Sequence, residues 1–222
     1  MPHYALYVFD AYGTLFDVRS AVDKHRAMIG EEADRLSDLW RTKQLEYTWV
    51  RTLCGAYRDF RQNTADALDF ASLRCGGLRP ELREALLAAY ETLDAYPDVH
   101  GALSRLRAAG AQTAILSNGS PEMLTSAVRS AGLEDLFDAC LSVDALRAYK
   151  PAPSAYGLVA GRFGLAPKQV SFQSSNRWDV AGAARFGFRA VWINRTGAPD
   201  EYPDCAPGAV HRGLDELAQS DV

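Results

Sequence analysis

The sequence has no run of Lys and Arg, no Cys-x-x-Cys pair, no low-complexity tract and no long apolar stretch, and each absence removes a class of function. Net charge is −4, from 24 basic and 28 acidic residues, so there is no electrostatic footprint for nucleic acid or an anionic membrane. Apolar runs such as Ala190 to Ile193 fall far short of the roughly 20 residues that span a bilayer. Met1-Pro2-His3-Tyr4 has neither the cationic start nor the apolar centre of a signal peptide, so the chain reads as cytoplasmic. Cys54, Cys75, Cys140 and Cys205 are widely spaced, which suits reduced thiols better than a disulfide framework or a zinc site.

What is present is a chain of 222 residues, 48% of them hydrophobic, able to bury a full core as one large domain or a domain with an insertion. Leu6 to Phe9 reads as a buried strand, stopped by the turn residues Gly13 and Thr14. Asp10 therefore stands at a strand's carboxyl end, where open parallel α/β sheets bind ligands; an Asp that only caps the turn is the competing reading. Two residues on, Tyr12 stands where a partner acid could have been.

A helical pattern follows up to Tyr96-Pro97. Leu36, Leu39, Trp40, Lys43, Tyr47 and Val50 keep amphipathic spacing, as do Leu82, Ala85, Leu86, Ala89, Tyr90 and Leu93. From there the pattern alternates: helix 99–109, strand 113–116, helix 121–131, strand 139–143, helix 154–163, strand 170–173, helix 180–186 and strand 189–193. The tail, rich in Gly, Pro and Asp, holds one short helix, 214–219. Alternation of this kind predicts an α/β fold, a Rossmann-like parallel sheet. Residues 1–14 and 98–222 would form the core domain, and 15–97 an inserted helical cap domain lying over the active face and able to exclude water.

Three further strand ends carry polar groups. Ser117-Asn118-Gly119-Ser120-Pro121 offers hydroxyl, amide and backbone N–H groups at a helix start, which suits a small anion or is an ordinary cap. Lys150 lies between Tyr149 and the prolines 151 and 153, ahead of Tyr156. It either sits in a solvated turn or points inward to neutralise a carboxylate. Ser174-Ser175-Asn176-Arg177-Trp178-Asp179 places one acid after three uncharged polar residues, either as a helix N-cap or as a second carboxylate near Asp10.

In this order, with a helical insertion after the first, the four segments resemble the haloacid dehalogenase superfamily over nearly the whole chain. Its phosphatases carry Asp-x-Asp at the first motif and hold Mg²⁺ with further acids at the fourth. Here Tyr12 and Ser174-Ser175-Asn176 replace those acids, and Mg²⁺ favours several hard oxygen ligands. Phe9 to Val18, Trp40-Arg41-x-Lys43-Gln44-Leu45-Glu46-Tyr47, Leu116 to Gly119 and Ser174-Ser175-Asn176-x-Trp178-Asp179-Val180 are similar to the L-2-haloacid dehalogenases.

That resemblance implies Asp10 as nucleophile and Arg41 with Asn118 as the halide site. It implies Tyr12, Leu45, Phe60 and Trp178 as pocket walls, and Ser117 with the backbone of Ala11, Tyr12 and Asn118 around the substrate carboxylate. Thr14, Lys150, Tyr156, Ser174, Asn176 and Asp179 would position Asp10 and the hydrolytic water. The implied partners are a small 2-haloacid and water, with no metal and no cofactor. Turnover would pass through an aspartyl ester, converting an (S)-2-haloacid to an (R)-2-hydroxyacid. Fluoroacetate is left open as a substrate. Thr42 departs from the family's usual glutamine, with an expected effect on halide or side-chain preference. Family members are often homodimers, though no feature of the chain marks an interface. The rivals are a Mg²⁺-dependent phosphatase on the same scaffold and a non-catalytic binding protein.

Overall fold

A computed structural model describes residues 4–220. Six parallel strands form one sheet, and numbered in chain order as β1 (Leu6–Phe9), β2 (Gln112–Ser117), β3 (Ala139–Ser142), β4 (Val170–Ser174), β5 (Arg189–Ile193) and β6 (Ala209–His211) they lie in the order β3-β2-β1-β4-β5-β6. Strand β1 (Leu6–Phe9) lies in the interior of the sheet, and all four of its residues are buried, as expected of a strand covered on both faces. It pairs with β2 (Gln112–Ser117) on one side, Leu6 opposite Gln112, and with β4 (Val170–Ser174) on the other, Leu6 opposite Val170. The carboxyl ends of β1, β2 and β4 are therefore neighbours, and the three motifs that follow them open at one place.

Between β1 and β2 the chain is helical: α1 (Ser20–Asp23), α2 (Arg26–Ile29), α3 (Ala33–Leu53), α4 (Phe60–Arg74) and α5 (Pro80–Glu91). Helices α3 and α4 form a packed hairpin, with Leu36, Trp40, Gln44 and Thr48 on the buried stripe of α3. Asp59 caps α4 by accepting from Gln62 N–H at 2.7 Å, and Pro80 opens α5, where a missing N–H costs nothing. The segment leaves and re-enters the sheet through two strips of chain that run side by side. Asp17 N–H donates to Asp94 O at 2.8 Å and Tyr96 N–H to Leu15 O at 2.9 Å, which makes a short antiparallel ribbon. At Gly13, φ is +94°, a turn conformation that favours glycine at the point where the chain leaves the nucleophile loop.

The remainder alternates as the pattern predicts: α6 (Val99–Ala108), β2, α7 (Pro121–Ser130), β3 (Ala139–Ser142), α8 (Pro153–Phe163), β4, α9 (Arg177–Phe186) and β5 (Arg189–Ile193). Two differences matter. A strand, β6 (Ala209–His211), precedes α10 (Leu214–Ser220) in the tail, where the Gly and Pro content pointed only to loop. Helix α9 begins three residues earlier than its apolar spacing suggests, because Arg177 is buried at its first turn. Arg177 donates to Asp200 and to the carbonyls of Tyr202 and Cys205. No helix among the described residues is long and apolar enough to cross a membrane.

Candidate active site

Asp10 follows β1 directly and is only 4% exposed. A buried carboxylate must have its lone pairs occupied, and both oxygens are. Oδ2 accepts from Thr14 Oγ1 at 2.9 Å, Asn176 Nδ2 at 2.8 Å and, more weakly, Ser174 Oγ at 3.4 Å. Oδ1 accepts from Lys150 Nζ at 2.8 Å. The supports are themselves anchored: Thr14 Oγ1 accepts from Ser175 N–H at 2.8 Å and Ser174 Oγ from Asn176 N–H at 3.1 Å. These bonds fix the carboxylate plane.

Lys150 is fully buried and points inward, so its solvated-turn reading does not hold. Its ammonium also donates to Asp179 Oδ2 at 2.7 Å and to Leu116 O at 3.0 Å. Burial disfavours the charge, yet Asp10 and Asp179 together outweigh it and raise the lysine above its ordinary value. Asp179 occupies the first turn of α9 but does not cap it; it is fully buried against Lys150 and Tyr156. Tyr156 Oη donates to its Oδ1 at 2.7 Å, and Gly182 permits this approach, since a Cβ there would overlap the tyrosine hydroxyl.

Burial pushes the Asp179 carboxyl from 3.8 up to about 6 against the pull of Lys150, with Asp10 adding repulsion. A folded value above the unfolded one means that this group's contribution to stability is complete below about pH 3.8 and is lost as pH rises through about 6. The stability difference between the wild type and Asp179→Asn, measured by urea denaturation, is therefore expected to shrink across that window. A difference that stays flat would show that Asp179 titrates as an ordinary acid.

Arg41 reaches across from α3. Its Nη2 donates to Tyr12 O at 2.9 Å and Asn176 Oδ1 at 3.2 Å, and its Nη1 to Gln44 Oε1 at 2.8 Å. Asn118 uses Oδ1 to accept from Lys150 N–H at 2.9 Å, and Ser117 Oγ accepts from Gly119 N–H at 3.0 Å. Ser120 caps α7 by accepting from Met123 N–H, so the cap reading of this loop holds for Ser120. The Tyr12 ring, buried, stacks on Tyr90 with centroids 5.7 Å apart and lies 5.2 Å from Phe60. Its hydroxyl is buried and makes no hydrogen bond among the described residues, and a Cβ on Gly119 would lie 2.7 Å from the ring. Leu45, one turn beyond Arg41, is half-buried.

The family model for haloacid dehalogenase-like hydrolases matches residues 4–187. The chain belongs to this family. A relative of this dehalogenase-like chain, (S)-2-haloacid dehalogenase 1 of Pseudomonas sp. strain CBS-3, is 51% identical over 213 residues, 96% of this chain and 94% of the relative. Haloacetate dehalogenase H-2 of Moraxella sp. strain B is 44% identical over 193 residues, 85% of each chain. The solved structure of L-2-haloacid dehalogenase from Xanthobacter autotrophicus with chloropropionic acid covalently bound superimposes with a TM-score of 0.89 at 38% identity, covering 97% of each chain.

Within this dehalogenase-like family the metal-dependent members need a Mg²⁺ site, and the residues here do not fit one. All four oxygens of Asp10 and Asp179 already accept from side-chain donors, Lys150 at 2.8 and 2.7 Å on one oxygen of each, Thr14 and Asn176 on the other oxygen of Asp10 and Tyr156 on the other of Asp179, and the ammonium supplies the positive charge between them. No group of three His, Cys, Asp or Glu converges among the described residues.

Two residues sit differently from their expected places. Trp178 turns outward, packing edge-on against Trp49 at 5.4 Å and lining an apolar recess of about 430 Å³ with Tyr149, Pro151 and Tyr202. Thr42 is exposed, among Asp38, Leu39 and Lys43 on the outer face of α3, so it does not reach Asp10. Sequence reasoning missed Gln44 and Tyr90 as neighbours of Arg41. The available signal was a glutamine on a buried helical stripe, one turn from an arginine.

Proposed function

We propose that this protein hydrolyses the carbon–halogen bond of short (S)-2-haloacids, releasing halide and an (R)-2-hydroxyacid through an ester on Asp10. The observation that carries the proposal is a buried, fully hydrogen-bonded carboxylate at the end of β1, sharing Asn176 with a guanidinium and with tyrosine in place of a second acid.

An Asp10 oxygen attacks C2 from behind the departing halogen, forming the C–O bond as the carbon–halogen bond breaks, and the halide takes the bonding pair. Holding the carboxylate in line supplies roughly 7–11 kcal/mol through orientation. Arg41 and Asn118 receive the halide; guanidinium stays charged and is weakly hydrated, so it suits an anion under a cap. Ser117 and the backbone of Ala11, Tyr12 and Asn118 hold the substrate carboxylate, with Leu45 and Phe60 as apolar surroundings. Residues 15–97 act as the cap and 1–14 with 98–222 as the core.

In the second step Asp179, ionised above about pH 6, takes a proton from water, whose oxygen adds to the Asp10 carbonyl carbon. The ester opens, the alkoxide leaves and collects that proton, and the water's second proton, left on the Asp10 carboxyl, passes to solvent, which restores the carboxylate. C2 is inverted once, because this step breaks the bond at the enzyme's own carbon. Thr14, Asn176 and Ser174 hold Oδ2 throughout, and Lys150 with Tyr156 keeps Asp179 in place. Haloacetates, fluoroacetate included, fall within the proposed range, and the proposed location is the cytoplasm.

The test is halide release from (S)- and (R)-2-chloropropionate, chloroacetate and fluoroacetate with EDTA present throughout. Release from the (S) enantiomer, with (R)-lactate as product, is the expected result. Silence on all four, with Mg²⁺-dependent phosphate hydrolysis instead, would overturn it.

A further inference from the structure

We infer that Gln44 is a positioning residue for the halide-receiving arginine, acting through a buried relay from Thr64 and Tyr90 to Arg41. The inference rests on the haloacid reading above and adds a residue to it. Gln44 is 1% exposed and lies on α3, three residues from Arg41. Its Oε1 accepts twice, from Arg41 Nη1 at 2.8 Å and from Tyr90 Oη at 3.0 Å. Its Nε2 donates to Thr64 Oγ1 at 2.6 Å, and Thr64 in turn donates to Phe60 O at 2.7 Å.

The chemistry fixes which way the amide faces. Arginine can only donate, so the atom toward Arg41 must be the oxygen. Thr64 has its proton committed to Phe60 O, so the atom toward Thr64 must be a donor, which is the nitrogen. Every polar atom of the glutamine side chain is thereby used in one orientation, and the carbonyl is aimed at the guanidinium. With Tyr12 O and Asn176 Oδ1 holding Nη2, the guanidinium is fixed from two sides, one in the helical segment and one at the sheet.

An arginine on a long flexible stem loses rotamer freedom when it meets a departing anion. Gln44 removes that loss beforehand, so the donors are already in place when charge develops on the halogen. Gln44, Thr64 and Tyr90 are not among the residues proposed to hold the substrate carboxylate. The effect therefore belongs to the leaving group, and a smaller halide, with its charge more concentrated, depends on it more.

Gln44→Met keeps the volume and removes the acceptor. Measured on the (S) enantiomers of 2-chloro- and 2-bromopropionate, kcat for chloride release is expected to fall by about 100-fold, the scale of a displaced catalytic group, with KM little changed. The fall for bromide should be smaller, so that the bromide-to-chloride ratio of kcat rises. Thr64→Val, which frees the amide from its anchor, should move the ratio in the same direction by less. In an Arg41→Ala background, Gln44→Met should add no further loss of bromide release, since its effect passes through the arginine. Equal losses for both halogens, or additive losses in the double variant, would overturn the assignment and leave Gln44 as packing. An inactive wild type would instead overturn the haloacid reading itself.

Discussion

Asp10→Asn is expected to stop halide release, lowering kcat by at least about four orders of magnitude, the scale on which loss of a nucleophile is felt. The substitution preserves shape but replaces an anionic oxygen with a neutral amide. The three donors around Oδ2, from Thr14, Asn176 and Ser174, will select the amide oxygen for that position. The amide nitrogen is then set toward Lys150 Nζ, two donors facing each other where an ion pair stood at 2.8 Å. That contact must loosen, but Lys150 keeps Asp179 and Leu116 O, so no buried charge is left alone. The fold should survive, and the Asp179 carboxyl, relieved of repulsion from Asp10, should fall below about 6. Mass spectrometry after quenching with substrate is the decisive companion: esterified protein for the wild type and none for the variant. A variant that still turns over would remove Asp10 from the mechanism.

Lys150→Met is expected to be the more damaging change to the protein as a whole. It leaves Asp10 and Asp179 buried together with no counter-charge, and breaking a buried pair by removing one partner costs about 3–5 kcal/mol. The pH dependence identifies the cause. Without the ammonium the Asp179 carboxyl, already raised to about 6 by burial, loses the charge that holds it down and is pushed further up, so its contribution to stability is present at low pH and is lost as pH rises through its folded value. Urea denaturation at pH 5.5 and pH 8 should show the larger deficit at pH 8, with turnover lost at both. An equal deficit at the two pH values would mean that Lys150 acts through packing alone.

The strand-end residues were legible because a strand's end is marked locally, by an apolar run meeting a polar turn. Asp10, Ser117, Asn118, Lys150, Ser174, Asn176 and Asp179 converge because β1 pairs with both β2 and β4. Side-chain direction within a helix's first turn was less legible. Trp178 and Asp179 are adjacent, yet one faces outward to Trp49 and the other is fully buried on Lys150. The buried Arg177 before them sets that rotation by gripping the 200–205 loop, a contact no local pattern announces. Gln44 was hidden for a related reason. A polar residue on an apolar stripe signals only that something must satisfy it, and its partners Tyr90 and Thr64 come from other helices. Strand β6 is three residues long at the sheet's edge, too short to rise above its Gly and Pro surroundings.

The antiparallel ribbon joining Asp17 to Asp94 and Leu15 to Tyr96 bears on how the chain finds this arrangement. Strand β1 must pair with a strand that begins at Gln112, and closing so long a loop is entropically unfavourable, by about 0.6 kcal/mol for each doubling of its length. The α3–α4 hairpin and its neighbours form from contacts nearby in sequence, which are quick to make. Once the ribbon closes beneath them, the helical segment no longer counts as loop. Only the short stretches from β1 to the ribbon and from the ribbon through α6 still have to be ordered before the central strands meet. A large insertion thus adds little more to the sheet's closure entropy than a short connection would.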